Sequence, residues 1–173
     1  RDCLLSRGLG DVYKRQLRWR EQGDDAAAMD FEWDLFVVAG NPVVHAGTPQ
    51  AGSHAINADN MFNSPDGVGF DGGGRLWIQT DGKYSNKGDY AGMGNNQMLC
   101  ADPHTGEIRR FMVGPVGCEV TGLAFSPDYR SMFVGIQHPG EEGGSSFPDH
   151  QAGVHPRSTV VVISRDDGGV IGA

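Results

Sequence analysis

The chain has 173 residues and a formal net charge of −8, a balance that argues against a nucleic-acid or anionic-membrane surface. No run of about 18 apolar residues occurs, so nothing is expected to span a bilayer as a helix. The 27 glycines and the recurring Asp-, Pro- and Gly-rich turns favour an all-β fold, and three cysteines without CxxC spacing favour neither a disulfide framework nor a zinc site.

The first sixteen residues, RDCLLSRGLGDVYKRQ, lack strand alternation and read unlike the rest. The string resembles a translated linker scar from environmental sequencing, and residues 1–16 are expected to lie outside the fold. Removing its four basic and two acidic residues leaves a body of net charge −10 over residues 17–173. A polar, alanine-rich lead then precedes WDLFVVAG (Trp33 to Gly40), which reads as a buried strand.

The stretch NSPDGVGFDGGGRLWIQTDG, Asn63 to Gly82, carries the most information. GVGF and RLWIQT alternate around a glycine-rich turn, the pattern of a β-hairpin. In an antiparallel pair the start of one strand and the end of the next share an edge. Asp66 and Asp81 are therefore expected on one rim, where a shared cation would offset their repulsion. DGGGR lacks the GK[ST] of a phosphate-binding loop and is turn chemistry.

Further strands follow as QMLCAD and EIRRFMVG around DPHTGE, EVTGLAF and SMFVGIQ around SPDYR, and finally STVVVISR. Phe70, Asp71 and Arg75 align with Phe125, Ser126 and Arg130 at an offset of 55 residues. Four strands and a restart at that period predict a partial β-propeller of about two four-stranded antiparallel blades. The first blade covers Gly67 to Gly114; the second, Glu119 to Arg165, has its outer strand missing or supplied elsewhere. Trp33, Trp77 and Phe133 are expected in the core.

Blade topology puts the two long connections, Gly82 to Asn96 and His138 to Ser158, at one face. Asp66, Asp81, Glu119 and His138 fall at that face. Glu119 maps to Ser64 by the offset, which has the strand parity of Asp66, so both acids should point toward the central channel. Converging carboxylates suit a hard cation such as Ca²⁺. Taken alone, Asp66 and Asp81 could equally cap turns through their own backbone. Asp166 and Asp167 read as solvated turn residues, and His45, His54, His104, His150 and His155 as surface residues without ligand spacing.

NMFNSPDGVGFDGGGRLWIQTDG, GDYAGMGNNQML, GPVGCEVTG, FVGIQHPGE and RDDGGVIGA, with the lead LRWREQGDDAAAMDFEWDLFVVAGNP, resemble the PhoX family of secreted alkaline phosphatases. The likeness runs in order from Leu17 to Ala173. It implies a monomeric propeller phosphatase, periplasmic or secreted, that cleaves small phosphomonoesters with calcium together with iron (Fe³⁺). On this resemblance Asp66, Asp81 and Glu119 are the expected calcium ligands, while Asn95, Asn96 and His138 are pocket-lining candidates. The family's twin-arginine export signal and iron-binding cysteine are expected upstream, outside this stretch, and the fragment alone is expected to be inactive. Cys100 and Cys118 read as buried structural thiols. A calcium-dependent lactonase or gluconolactonase-like propeller would also place acids on the channel rim, and a non-catalytic interaction propeller would predict no metal.

Overall fold

Among the described residues, every regular element longer than three residues is a β-strand. The computed structural model describes residues 13–173 in full and the backbone of residues 2–6. Three antiparallel sheets follow one another along the chain. The first joins β1 (Asp2–Ser6), β2 (Arg15–Glu21) and β3 (Phe31–Val38). The second is the four-stranded meander β4 (Pro65–Phe70), β5 (Leu76–Thr80), β6 (Gln97–Ala101) and β7 (Ile108–Val113). The third has β8 (Glu119–Phe125), β9 (Ser131–Gln137) and β10 (Thr159–Ser164), in the order β10-β9-β8. The second and third sheets are the two predicted blades, each strand within two residues of its expected position.

The middle sheet separates two cores. Leu76 and Ile78 of β5, with Leu99 and Ala101 of β6, meet Val37, Phe62, Met93 and Tyr13 on one side. Trp77 and Met98, from the alternate positions, meet Val120, Met132, Val134 and Ile136 on the other. All five residues of β5 are consequently buried, as expected of a strand covered on both faces. Each large apolar side chain so enclosed contributes roughly 1.5–3 kcal/mol.

The expected boundary at Gln16 is not where packing begins. Tyr13 is wholly buried in the first core, its hydroxyl donating to the Asp89 carbonyl at 2.7 Å, and Gln16 is likewise enclosed. β1 pairs with β2 from Asp2↔Arg20 to Ser6↔Gln16, so part of the supposed linker belongs to a sheet. Residues 1 and 7–12 of that segment lie outside the described residues. β2 itself was hidden by charge: Arg18 and Arg20 interrupt Leu17 and Trp19, which nevertheless alternate with period two.

Two expected core aromatics are also corrected. Trp33 is 62% exposed and Phe133 is 37% exposed, whereas Trp77 is fully buried. Trp33 faces Trp19 across β2–β3, on the side of the sheet opposite Val37. Phe133 has the opposite parity to the buried Met132, Val134 and Ile136.

Candidate functional site

Sheet geometry gives the propeller blades two ends. At one end lie the tight hairpin turns, which begin at Asp71, Asp102 and Ser126. There the first turn is held by a single carboxylate. Asp71 Oδ1 accepts from the backbone N–H of Gly73 and Arg75, and Oδ2 accepts from Arg75 Nε at 2.7 Å and Trp77 Nε1 at 3.0 Å. Burial would raise this carboxyl's pKa, but the hydrogen bonds outweigh it and hold the group below the usual carboxylate range.

The other end carries the long connections and the acids singled out by sequence. Asp66 and Asp81 are exposed there, while the Glu119 side chain is only 12% exposed. Burial pushes the Glu119 carboxyl up, and the negative charges of Asp81 and Asp66 push it further, against the help of Thr121 and His138. The three acids thus share one electrostatic neighbourhood, as expected. Strand parity is not the reason, because the β4–β5 register shifts between Pro65 and Val68 and Ser64 has a φ of +48°. A backbone hydrogen bond from Asp81 N–H to the Ser64 carbonyl at 3.1 Å closes the two strands at this edge.

His138 joins the rim from the end of β9. Its Nε2 lies 3.6 Å from Glu119 Oε2 and its Nδ1 lies 3.5 Å from Glu141 Oε2, while Nδ1 is buried without a hydrogen-bond partner. Asn95 is half-buried and makes no side-chain hydrogen bond among the described residues. Asn96 is placed differently from expectation: it is buried and its amide is occupied by backbone groups, so it does not line an open pocket. Gln79, which sequence reasoning passed over, packs its Oε1 against Gly67 beside Asp66 and leaves Nε2 buried without a partner.

The donor chemistry of this rim fits a hard cation in kind, since it offers carboxylate oxygens whose charges oppose one another. It does not complete a site: among the described residues no three His, Cys, Asp or Glu side chains converge as a metal-binding group. Cys100 and Cys118 offer no thiolate. Burial pushes both the Cys100 and Cys118 thiols up to about 11, so neither is ionised near neutral pH, consistent with structural roles. Two clefts of about 480 and 610 Å³ lie elsewhere, one including Arg18, Glu32 and His104 and the other including His54, Asn57 and Arg110; neither includes the three acids. No helix among the described residues is long and apolar enough to cross a membrane.

A family model described as alkaline phosphatase PhoX matches residues 6–140. Among solved structures, the chain is similar to Pseudomonas fluorescens PhoX in complex with vanadate, a transition state analogue. The similarity has 69% identity and a TM-score of 0.92, and covers 94% of this chain and 28% of that one. No curated protein matches.

Proposed function

Because the chain belongs to the PhoX alkaline phosphatase family, we propose that it contributes one rim of the active site of an exported, monomeric phosphomonoesterase that uses calcium together with iron. The chain spans 28% of the length of the solved PhoX structure, so the rest of the metal site and the catalytic nucleophile are assigned to other parts of the protein. The observation that carries this reading is the electrostatic conflict at Glu119, whose charge is opposed by burial and by Asp81 and Asp66 together.

A phosphate monoester is an anion, and an acidic rim on a chain of net charge −8 would repel it. Cations between rim and ester remove that conflict, and on this reading Asp66, Asp81 and Glu119 are the residues that hold calcium. The metals, when bound, supply Lewis-acid polarisation of the phosphoryl group. The protein's own contributions are separate. Asp66 and Asp81 present carboxylate oxygens from the ends of paired strands, and Glu119, its side chain mostly buried, feels the charge of both. His138, bracketed by Glu119 and Glu141, presents its imidazole on the same rim. Vanadate, bound by the Pseudomonas fluorescens relative, has the oxyanion geometry that such a rim would accommodate once neutralised.

The decisive test uses the complete phosphatase that contains this chain. p-Nitrophenyl phosphate should be hydrolysed and simple lactones should not. Activity should disappear on calcium chelation and return when Ca²⁺ is added, with elemental analysis following the metal. Turnover that survives exhaustive chelation, or a preference for lactones, overturns the reading.

A further inference from the structure

Asp66 lies in β4, Asp81 just past the end of β5 and Glu119 at the start of β8, yet one pair of buried amides fixes the backbone between them. Asn96 Oδ1 accepts from Gly82 N–H at 2.8 Å while its Nδ2 donates to the Gly82 carbonyl at 3.1 Å. Asn63 does the same to the next residue: Oδ1 accepts from Lys83 N–H at 3.0 Å and Nδ2 donates to the Lys83 carbonyl at 3.1 Å. Each side-chain amide acts as a short piece of strand, pairing both backbone groups of one loop residue. Gly82 and Lys83 directly follow Asp81, so the chain leaving that carboxylate is held from both sides.

The grip extends to the other acids. Asn96 Nδ2 also donates to the Cys118 carbonyl at 2.8 Å, one residue before Glu119, and Thr80 Oγ1 donates to Asn96 Oδ1 at 2.9 Å, one residue before Asp81. Asn63 immediately precedes Ser64, whose carbonyl accepts from Asp81 N–H. Both asparagines are about 95% or more buried and their polar atoms are satisfied by these partners, so neither is free to touch a substrate. The fit is tight at Gly82: a Cβ there would stand only 1.9 Å from Asn63 Oδ1. That contact accounts for a glycine at a position whose backbone does not require one.

We infer that Asn63 and Asn96 are positioning residues that fix the backbone carrying Asp81 and Glu119 against the segment leading to Asp66, and so hold the acidic rim in place. The inference rests on the metal reading above, and its test separates the two. Asn60 is the matched control: it is equally buried, and its side chain bonds the backbone of Asn57, Ala55 and Ile108, away from the rim.

In the complete phosphatase, Asn96→Ala should speed amide hydrogen exchange at residues 80–83 and 117–119 by at least about tenfold, because buried backbone groups lose their partners. Asn63→Ala should act at residues 81–83. Gly82→Ala should reproduce the effect with both asparagines present, since the added methyl displaces the Asn63 amide. All three should weaken calcium affinity, measured by titration calorimetry, by at least about tenfold, while Asn60→Ala lowers Tm comparably and leaves calcium affinity within about twofold. Parental exchange rates at the rim in Asn96→Ala, or equal loss of calcium affinity in Asn60→Ala, overturn the inference. A parental protein that binds no calcium overturns the metal reading instead, and the exchange data then still decide whether the amides hold the rim.

Discussion

The two ends of the blades use the same residue types to opposite effect. At the turn end the carboxylates are satisfied by neighbours in sequence. Asp102 is held low by the backbone N–H groups of His104 and Thr105, and Asp128 by Ser126 and the Arg130 N–H. Asp167 is drawn to about 2 by Arg165 and then by the Gly169 N–H. At the rim, Glu119 moves the other way, pushed up by burial and by two like charges. An acid stabilised by local hydrogen bonds is already accounted for by the fold. One opposed by its neighbours is relieved by a proton or by a cation, and there the functional reading belongs.

The sharpest break in this comparison concerns Asp71 at the turn end. Asp71→Asn replaces an acceptor of four hydrogen bonds with a group that must point a donor at Arg75 or Trp77. The expected loss is about 3 kcal/mol, read as a lowered denaturation midpoint. Packing of the second sheet against the third depends on the same contact, since Trp77 occupies the core between them.

At the rim the large effect should fall on turnover rather than on stability. Asp66→Asn, Asp81→Asn and Glu119→Gln keep size and remove charge, and each should reduce kcat/KM of the complete phosphatase at least about tenfold, ~1.4 kcal/mol or more. Asp128→Asn, at the turn end, should leave kcat/KM near the parental value. Equal losses in all four variants would erase the distinction between the ends.

Acid titration separates the ends by sign. Asp71 has a depressed pKa in the folded state, so its contribution is present above the ordinary carboxylate value of about 3.9 and is lost as pH falls through the depressed value. Glu119 has a raised pKa. In metal-free protein its charge opposes folding above that value, and the penalty is relieved as pH falls through it toward the unfolded value. Comparing stability-versus-pH curves of Asp71→Asn and Glu119→Gln with the parent should therefore give differences of opposite sign. The smallest effect follows from the same argument: near neutral pH, without calcium, Glu119→Gln should melt no lower than the parent and slightly higher. A clear drop in Tm would mean that Glu119 is already paired by the fold.

How much of this was legible depended on the range over which a residue acts. The hairpins of β4–β5, β6–β7 and β8–β9 were readable because alternation and turn chemistry are local, and the 55-residue offset reflects turns built alike. Asp71 fixes the first of these turns and Ser126, whose Oγ accepts from Ser131 N–H at 2.9 Å, fixes its counterpart. The shared rim of Asp66, Asp81 and Glu119 followed from strand direction alone. Tyr13 was illegible because its partners, including Phe62 and Tyr90, lie far along the chain from a segment with no periodicity of its own. The Asn63 and Asn96 amides escaped for a similar reason, since a side chain that pairs with backbone 14 or 20 residues away leaves no pattern in spacing.

The tryptophans also divide the molecule optically. Trp19 and Trp33 lie opposite each other on the open face of the first sheet, whereas Trp77 is sealed between blades with Phe111 edge-on at 4.8 Å. An aqueous quencher such as iodide should silence the long-wavelength emission of exposed Trp33, reach half-buried Trp19 less completely, and leave the blue-shifted light of Trp77. What remains would be a built-in gauge of blade-to-blade packing, readable without a label, while anything that settles over the first sheet should shield the other two from the quencher.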